Sequence, residues 1–250
     1  MKIIGRSDPG KERQSNEDNF FFRVDGDHAV VAVADGMGGH AAGEVASSLV
    51  VDVLSRYVMD ASISELCELC ADNDIIEFIQ KLIDEANYEI FETGRQEADK
   101  FGMGTTFTMG FICHNYLVIG HVGDSRVYLI SDNKMRRLTN DHSVVEEMLR
   151  EGKITAEEAK SHPQKNMLTK ALGNSLHIDV DIETVHLKEG DALLFCTDGL
   201  TSLIEEAEIN QMVCDKSASP LEAADDLIML ANDRGGYDNI TLVVVTELGG

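Results

Sequence analysis

Short apolar runs and longer stretches of helical periodicity alternate along this chain. The apolar runs at residues 20–24 and 28–34 predict two early strands, because turn residues bound both of them. The same criteria predict further strands at residues 105–113, 116–122, 126–131, 179–187, 191–197 and 240–246. Several of these strands are joined by short connections, which favours antiparallel pairing.

Helices are predicted where apolar residues recur at intervals of three and four. This spacing occurs between Ala46 and Tyr57, at residues 74–98, and in two segments between residues 205 and 232. The polar segment 141–173 is expected to form two short helical pieces on the surface. Capping boxes are expected to begin the shorter helices: Ser62 with Glu65, Ser143 with Glu146, Thr155 with Glu158, and Ser219 with Glu222.

This order of elements predicts an α+β fold. Long amphipathic helices cannot lie within a sheet, so they have to cover one. Two mainly antiparallel sheets packed face to face, with helices on both outer faces, meet this requirement and give a four-layer α-β-β-α sandwich. No repeat or linker divides the 250 residues, so we expect a single domain over residues 1–250.

Composition excludes several classes of protein. With 43% hydrophobic and 26% charged residues, the chain is globular rather than disordered. Its formal net charge of -24 disfavours nucleic acid and anionic membranes as partners, because both repel an acidic surface. No apolar run reaches the roughly 18 residues that predict a membrane span. The first ten residues contain no apolar signal region. We therefore expect a cytoplasmic protein.

The cysteines form an odd, scattered set, which favours a reducing compartment and argues against a disulfide framework. They are Cys67, Cys70, Cys113, Cys196 and Cys214. Cys67 and Cys70 form a C-x-x-C pair that has no second pair and no nearby histidine in the sequence. We interpret them as two apolar residues on one helical face rather than as a structural zinc site.

Aspartates stand where predicted core strands begin or end. They are Asp18, Asp35, Asp124, Asp198 and Asp238. Each one alone is a common turn residue. Five carboxylates that converge on one edge of a sandwich would repel one another, and a divalent cation removes that cost. Oxygen ligands without a Cys or His cluster select hard ions such as Mg²⁺, Mn²⁺ or Ca²⁺.

Two neighbouring features fit a metal site that binds phosphate. The glycines after Asp35 allow close approach of the backbone, so the Gly36 carbonyl is a candidate metal ligand. Arg13 is a candidate phosphate clamp, because its guanidinium fork matches phosphate oxygens. The alternative for Arg13 is a surface ion pair. No G-x-x-x-x-G-K-[ST] loop is present.

Eight motifs occur in order over nearly the whole chain. They are S-D-P-G at residues 7–10 with Arg13 and N-E-D at 16–18; A-D-G-M-G-G-H at 34–40 with G-E at 43–44; G-T-T at 104–106; H-V-G-D-S-R at 121–126; L-T at 138–139 with D-H-S at 141–143; L-T-K-A-L-G at 168–173; T-D-G-L at 197–200; and D-N-I-T at 238–241. In this order they resemble the metal-dependent protein phosphatases of the PP2C type (the PPM family), in their bacterial form.

The resemblance implies an α-β-β-α sandwich with a binuclear Mn²⁺ or Mg²⁺ centre. Asp35 would bridge the two ions. The Gly36 carbonyl would complete one site, and Asp198 with Asp238 the other. Asp124, together with Asp198, would hold a third and weaker ion.

The resemblance also assigns roles around the metals. Arg13 would hold the substrate phosphate. Glu17 and Asp18 would act mostly through metal-bound water, and Asn239 would support the ligands without touching the ions. The polar segment 141–173 corresponds to the family's flap beside the active site.

The function implied is that of a protein serine/threonine phosphatase. In this family, metal ions lower the pKa of a bridging water, and the resulting hydroxide attacks phosphorus in line with the leaving serine or threonine oxygen. The cations and Arg13 neutralise charge on the phosphoryl oxygens. The partners implied are phosphoprotein substrates, including a serine/threonine kinase, and we expect a monomer.

Two positions depart from the family pattern. Animal and plant relatives usually carry a histidine, regarded as the general acid, where this chain has Met37, as bacterial relatives commonly do. The proton donor is then either His40 or a metal-bound water. Lys170 stands where arginine is frequent in bacterial relatives, and it keeps the charge.

Two rival functions differ in class. A catalytically silent module that binds phosphoproteins would be favoured by loss of the metal aspartates, yet Asp35, Asp198 and Asp238 are present. An unrelated metal-dependent phosphoryl or glycosyl transferase would need a nucleotide-binding loop, and the sequence has none.

Overall fold

The computed structural model describes residues 1–38, 42–60, 63, 67, 72–214 and 219–248. Its strands are β1 (Lys2–Asp8), β2 (Asp18–Asp25), β3 (His28–Met37), β4 (Gly104–Thr105), β5 (Phe107–Cys113), β6 (Tyr116–Val122), β7 (Arg126–Ser131), β8 (Lys134–Arg137), β9 (Asp181–His186), β10 (Ala192–Cys196) and β11 (Ile240–Thr246). Its α-helices are α1 (Ala42–Asp60), α2 (Asp72–Gln96), α3 (Val144–Arg150), α4 (Ala156–Lys160), α5 (Asp198–Thr201), α6 (Glu206–Cys214) and α7 (Pro220–Asp233), and a 3₁₀ helix spans Ala98–Lys100.

The strands form two antiparallel sheets. The first sheet has the order β1-β11-β10-β7-β8, and the second has the order β2-β3-β5-β6-β9 with β4 paired to β3. Helices α1 and α2 cover the second sheet, and α6 and α7 cover the first. The predicted α+β sandwich is confirmed.

Strand β3 shows why its sequence is apolar without alternation. Val30, Ala32 and Ala34 point to the layer of α1 and α2. The residues between them, such as Val31 and Val33, point to the core between the two sheets. Both faces of β3 are therefore buried, and a strand buried on both faces needs an apolar residue at every position.

The register of the strands brings the candidate aspartates to one edge. In the β2–β3 pair, Asp18 lies opposite Asp35, so the start of β2 and the end of β3 meet. In the β10–β11 pair, Cys196 lies opposite Leu242. Asp198 follows β10 and Asp238 precedes β11, so both residues lie at the same end of this antiparallel pair.

The structure differs from the sequence-based expectation at several elements. Strands β1 and β8 and the one-turn helix α5 were not predicted, and the Ser62–Glu65 box lies outside the described residues. The boxes at Thr155 and Ser219 are reciprocal, as predicted. At Ser143 only the hydroxyl cap forms, and the Glu146 carboxylate instead binds Arg137 at 2.9 Å.

The cysteines also differ from expectation. Cys67 is buried against the helix side of the second sheet, where a disulfide joins it to Cys113 at the end of β5. The expectation of no disulfide is thus wrong for this pair, because 46 residues separate two cysteines that the fold brings together. Cys70 lies outside the described residues. Among the described helices, none is long and apolar enough to cross a membrane.

Candidate metal centre

The backbone of Asp35 is fixed by Thr105, the last residue of β4, and by Thr106, which follows it. The Asp35 N–H donates to Thr106 Oγ1 at 2.9 Å, and its carbonyl accepts bonds from the Thr106 N–H and from Thr105 Oγ1, each at 2.9 Å. The Thr106 hydroxyl also meets Ser125 Oγ at 2.8 Å. One buried hydroxyl thereby connects Asp35, near the end of β3, with the loop that carries Asp124.

The second strand end is fixed around Thr197, directly before Asp198. The Thr197 hydroxyl donates to Asp18 Oδ2 at 2.8 Å and accepts from the Thr241 N–H at 3.0 Å. The next residue after Asp198 has to be glycine, because a Cβ at Gly199 would lie 1.9 Å from the Asn239 carbonyl oxygen. Asp198 is therefore held tightly beside β11.

Asn239 organises the loop that carries Arg13. Its side-chain oxygen accepts a bond from the Glu17 N–H at 2.8 Å, and its amide donates to the carbonyls of Pro9 and Ser15 at 2.9 Å each. One amide side chain thus closes the segment between β1 and β2 onto the start of β11. This placement fits the supporting role that the sequence suggested for Asn239.

Arg13 and Asp238 meet at the mouth of the site. Arg13 Nη2 donates to Asp238 Oδ2 at 2.8 Å, and both side chains are partly exposed. The contact places a partly exposed guanidinium beside one candidate metal ligand.

Gly36 forms the floor of the site. A Cβ there would lie 2.2 Å from the Gly43 carbonyl and 2.5 Å from that of Glu17. The Gly36 N–H donates to the Glu17 carbonyl at 3.1 Å. Only glycine fits between these two backbones, so the requirement at Gly36 is steric as well as chemical.

A cleft of about 410 Å³ collects the candidate residues. It is lined by Arg13, Glu17, Asp35, Gly36, Met37, Gly38, Thr106, Asp124, Asn166, Met167, Leu168, Asn174, Asp198, Asp238 and Asn239. Asp18 is buried behind this wall. His40 lies outside the described residues.

The electrostatics of the cleft favour a bound cation. Burial raises the pKa of Asp35 well above its usual range, and the neighbouring carboxylates, Asp18 first, raise it further. Burial, followed by repulsion from Asp198, does the same to Asp124. Asp198 has a raised pKa for the same reasons, although a hydrogen bond with Asp35 opposes the shift. Charged carboxylates in this arrangement destabilise one another, and a cation reverses the effect.

Asp18 gives an independent indication that a polar partner belongs here. Its Oδ1 atom is buried and has no hydrogen-bond partner within the described structure. Burial raises its pKa to about 7, against the opposing hydrogen bonds from Thr241 and Thr197. The donor set of carboxylate and carbonyl oxygens fits hard divalent ions, so the residues present suit Mg²⁺ or Mn²⁺.

The segment 141–173 closes one side of the cleft. The Gly123 N–H donates to His142 Nδ1 at 3.0 Å, and the His142 N–H donates back to the Gly123 carbonyl at 2.7 Å. Arg126 holds Asp141 by a forked pair, with Nη2 to Oδ2 at 2.6 Å and Nε to Oδ1 at 3.0 Å. The loop of Asp124 is therefore joined to this segment on both sides.

Most of these supporting residues lie within the eight sequence motifs, but the motifs alone indicate no role for them. They are Thr105, Thr106, Ser125, Arg126, Asp141, His142 and Thr197. The available signal was the repeated occurrence of Ser or Thr next to a candidate aspartate, as in the strings at residues 124–125 and 197–198. Asn166 and Asn174 also line the cleft, and both lie outside the eight motifs.

Comparisons with known proteins give one consistent family. The family model described as protein phosphatase 2C matches residues 8–232. The chain is 44% identical to the serine/threonine phosphatase stp of Listeria innocua over 241 residues, which cover 96% of this chain and 93% of that protein. It is 38% identical to the protein phosphatase PhpP of Streptococcus pneumoniae, over 98% of this chain and 97% of that one.

Solved structures show the same similarity in three dimensions. The serine/threonine phosphatase of S. agalactiae matches with a TM-score of 0.90 and 36% identity, over 98% of this chain and 99% of that one. The catalytic domain of the phosphatase PstP, in complex with two manganese ions, matches with a TM-score of 0.82 and 34% identity over 97% and 96% of the two chains.

Proposed function

The chain belongs to the protein phosphatase 2C family and is a metal-dependent protein serine/threonine phosphatase, and we propose that the cleft lined by Asp35, Asp198 and Asp238 is its active site. The observation that carries this proposal is the convergence of carboxylates from distant strand ends on one cleft. Its substrates are phosphoproteins.

The proposed metal ligands are the oxygen donors that line the cleft. Asp35 would bind two ions, the Gly36 carbonyl would complete one site, and Asp198 with Asp238 would complete the other. Asp124, with Asp198, would bind a third and weaker ion. Mn²⁺ and Mg²⁺ both suit these oxygen ligands. When bound, such ions lower the pKa of the attacking water and neutralise charge on the phosphoryl oxygens.

Arg13 orients the substrate phosphate in this proposal. Its guanidinium lies beside Asp238 and lines the same cleft as the candidate metal ligands, so it could reach a phosphoryl group bound there. A guanidinium donates two parallel hydrogen bonds to phosphate oxygens. Asn239 and Glu17 keep the Arg13 loop in position through their own hydrogen bond.

The proton for the leaving oxygen has two candidate sources. Among the described residues that line the cleft there is no histidine, and Met37 occupies part of the wall. His40 therefore stays a candidate on sequence grounds, with water in the cleft as the alternative.

The segment 141–173, here called the flap, contacts the substrate protein in this proposal. Asn166, Met167 and Leu168 bring it to the cleft wall. Met167 is exposed beside the cleft and offers an apolar contact for residues flanking the phosphorylated side chain.

We further propose that the substrates include a serine/threonine kinase and that the enzyme acts as a monomer. A phosphatase removes what a kinase adds, which makes a kinase a natural opponent.

Metal content tests the proposal without reference to catalysis. The wild type, Asp198→Asn and Asp124→Asn are loaded with Mn²⁺, passed through gel filtration and measured by elemental analysis. We expect the wild-type chain to retain two ions and Asp198→Asn to lose at least one of them. Asp124→Asn should retain both, because the weaker third ion is lost on gel filtration and is counted only by titration. Equal retention by the wild type and Asp198→Asn would contradict the assignment.

A further inference from the structure

A second group of metal-binding side chains lies far from the cleft. His28 begins β3, Cys113 ends β5, and Cys67 is a helical residue between α1 and α2. One potential ligand atom from each of the three lies within 4.8 Å of the others, and all three residues are buried. The neighbours of Cys67 in this group come from distant strands and not from Cys70, so the local sequence does not reveal the group.

The sheet register creates this group. Ala29 lies opposite Ile112 in the β3–β5 pair, so His28 and Cys113 are the next neighbours along the two strands. His28 is seven residues from Asp35 in β3, which corresponds to about 23 Å at roughly 3.3 Å per residue. The group is therefore at the opposite end of the strand from the phosphatase cleft.

The chemistry of the two sites is different. The cleft offers oxygen atoms, which suit hard ions. Two sulfurs and an imidazole suit Zn²⁺, which binds cysteine thiolates at about 2.3 Å and histidine nitrogens at about 2.0–2.1 Å.

We propose that His28, Cys67 and Cys113 form a zinc-binding site when the Cys67–Cys113 disulfide is reduced. Two molecules of a small-molecule thiol together supply two electrons and two protons to the disulfide, and they are joined to each other as the oxidised disulfide. Zn²⁺ then displaces one proton from each cysteine and binds two thiolates and one neutral imidazole, with water as the fourth ligand.

The backbone leaves room for this exchange. Two thiolates on a tetrahedral zinc ion lie about 3.8 Å apart, given Zn–S bonds of about 2.3 Å. The Cα atoms of Cys67 and Cys113 are 5.7 Å apart, so rotation of the two side chains separates the sulfurs. The site can thus exist either as a disulfide or as a zinc site, but not as both.

The third ligand is held in place by its surroundings. The ring of His114 packs edge-on against that of His28, with centroids 4.5 Å apart. The His114 N–H donates to His28 Nδ1 at 3.4 Å, and zinc bound to this nitrogen would replace that hydrogen bond. Asp25 lies opposite His28 in the β2–β3 register. A carboxylate near a metal-binding histidine is a common means of orienting the ring. Zinc would connect the helical layer at Cys67 to the ends of β3 and β5.

Cobalt absorption is the direct test, because only a thiolate ligand gives a thiolate-to-cobalt charge-transfer band. Reduced protein is first saturated with Mn²⁺ to fill the oxygen site and is then titrated with Co²⁺. The matched variants are Cys70→Ser/Cys196→Ala/Cys214→Ser, which keeps only the proposed pair, and Cys67→Ser/Cys113→Ser, which keeps the other three. We expect the band in the wild type and the first variant, its absence in the second, and its displacement by one equivalent of Zn²⁺.

Two further measurements keep the test decisive if a variant fails to fold. Oxidation of wild-type protein with diamide should abolish the band, and reduction should restore it. His28→Ala should weaken Co²⁺ binding at least tenfold. A reduced wild type without the band, a band retained in Cys67→Ser/Cys113→Ser, or unchanged affinity in His28→Ala would overturn the proposal.

Discussion

At the scale of single residues, the cleft depends on side chains that hold a candidate ligand rather than on the ligand alone. Asn239 closes the Arg13 loop through three hydrogen bonds, and Thr197 positions the buried Asp18. A mutation in these residues would move several ligands together.

Arg13 gives the clearest test of a single residue. Arg13→Ala should raise KM for a phosphothreonine peptide and lower kcat/KM about 10- to 100-fold. The reason is that hydrogen bonds to a charged group contribute about 1.5–3 kcal/mol, and about 1.4 kcal/mol corresponds to a factor of ten. Steady-state kinetics at saturating Mn²⁺ measures the effect.

Lys11 is the matched control for Arg13. It lies in the same loop, and its exposed amino group pairs with Asp233 at 3.6 Å. Lys11→Ala should leave kcat/KM within about twofold, since exposed ion pairs contribute little. An Arg13→Ala enzyme with wild-type kcat/KM, or one that has lost Mn²⁺, would contradict the role of Arg13 as a phosphate clamp.

The sequence was sufficient to select the aspartates but not their partners. Asp35 and Asp198 were identified because a carboxylate directly after an apolar strand is visible in the sequence. The partnership of Asp35 with Thr106 is not visible, because 71 residues separate the two. Only the pairing of β3 with the following strands brings them together.

At the scale of the elements, Thr106 lies between β4 and β5 and connects Asp35 in β3 with the loop that carries Asp124. Thr106→Val should lower the free energy of unfolding by about 1–3 kcal/mol, because it leaves the buried Asp35 N–H without its acceptor. It should also weaken Mn²⁺ binding, since Asp35 is no longer fixed. Denaturant unfolding and Mn²⁺ titration measure the two effects.

Thr246→Val is a chemically identical control. The Thr246 hydroxyl is buried at the end of β11 and has no hydrogen-bond partner in the described structure. Its replacement should leave stability unchanged or slightly increased, with unchanged Mn²⁺ affinity. Equal losses in the two variants would show that the Thr106 bonds have no special role.

Strand β1 was not predicted because its strand conformation depends on long-range pairing. The sequence of β1 has only two strongly apolar residues, Ile3 and Ile4, followed by Gly5. It is a strand because it pairs with β11 along its whole length. Gly5 is needed for packing, since a Cβ there would lie 2.3 Å from the ring of Phe20. Such long-range pairing leaves no periodic signal in the local sequence.

At the scale of the whole molecule, the clustered carboxylates couple stability to pH and to metal. Asp18, Asp35, Asp124 and Asp198 all have raised pKa values in the metal-free fold, chiefly through burial. A raised carboxyl pKa means that the folded state binds more protons than the unfolded state. The associated stability is present at low pH and is lost as pH rises through the folded pKa.

Metal-free protein should therefore become less stable as pH rises from about 4 to about 7, the window set by the pKa of Asp18. Thermal unfolding in EDTA should give a higher Tm at pH 5.5 than at pH 8. Saturating Mn²⁺ should raise Tm most at pH 8, because it binds the ionised carboxylates. Asp18→Asn should flatten the trend in EDTA. A Tm in EDTA that increases from pH 5.5 to pH 8 would contradict this account.

The most direct measurement of the central claim is phosphate release from a phosphothreonine peptide by wild type, Asp198→Asn and Asp191→Asn, each with Mn²⁺ and with EDTA. Asp191 precedes the same strand at its opposite end, where it accepts a bond from the Lys188 N–H, and serves as the matched control. We predict Mn²⁺-dependent release by wild type and Asp191→Asn. Asp198→Asn should lose about 10³-fold or more, because metal stabilisation of the transition state is worth several kcal/mol. Release that survives EDTA, or a folded Asp198→Asn with wild-type turnover, would contradict a metal-dependent active site at these strand ends.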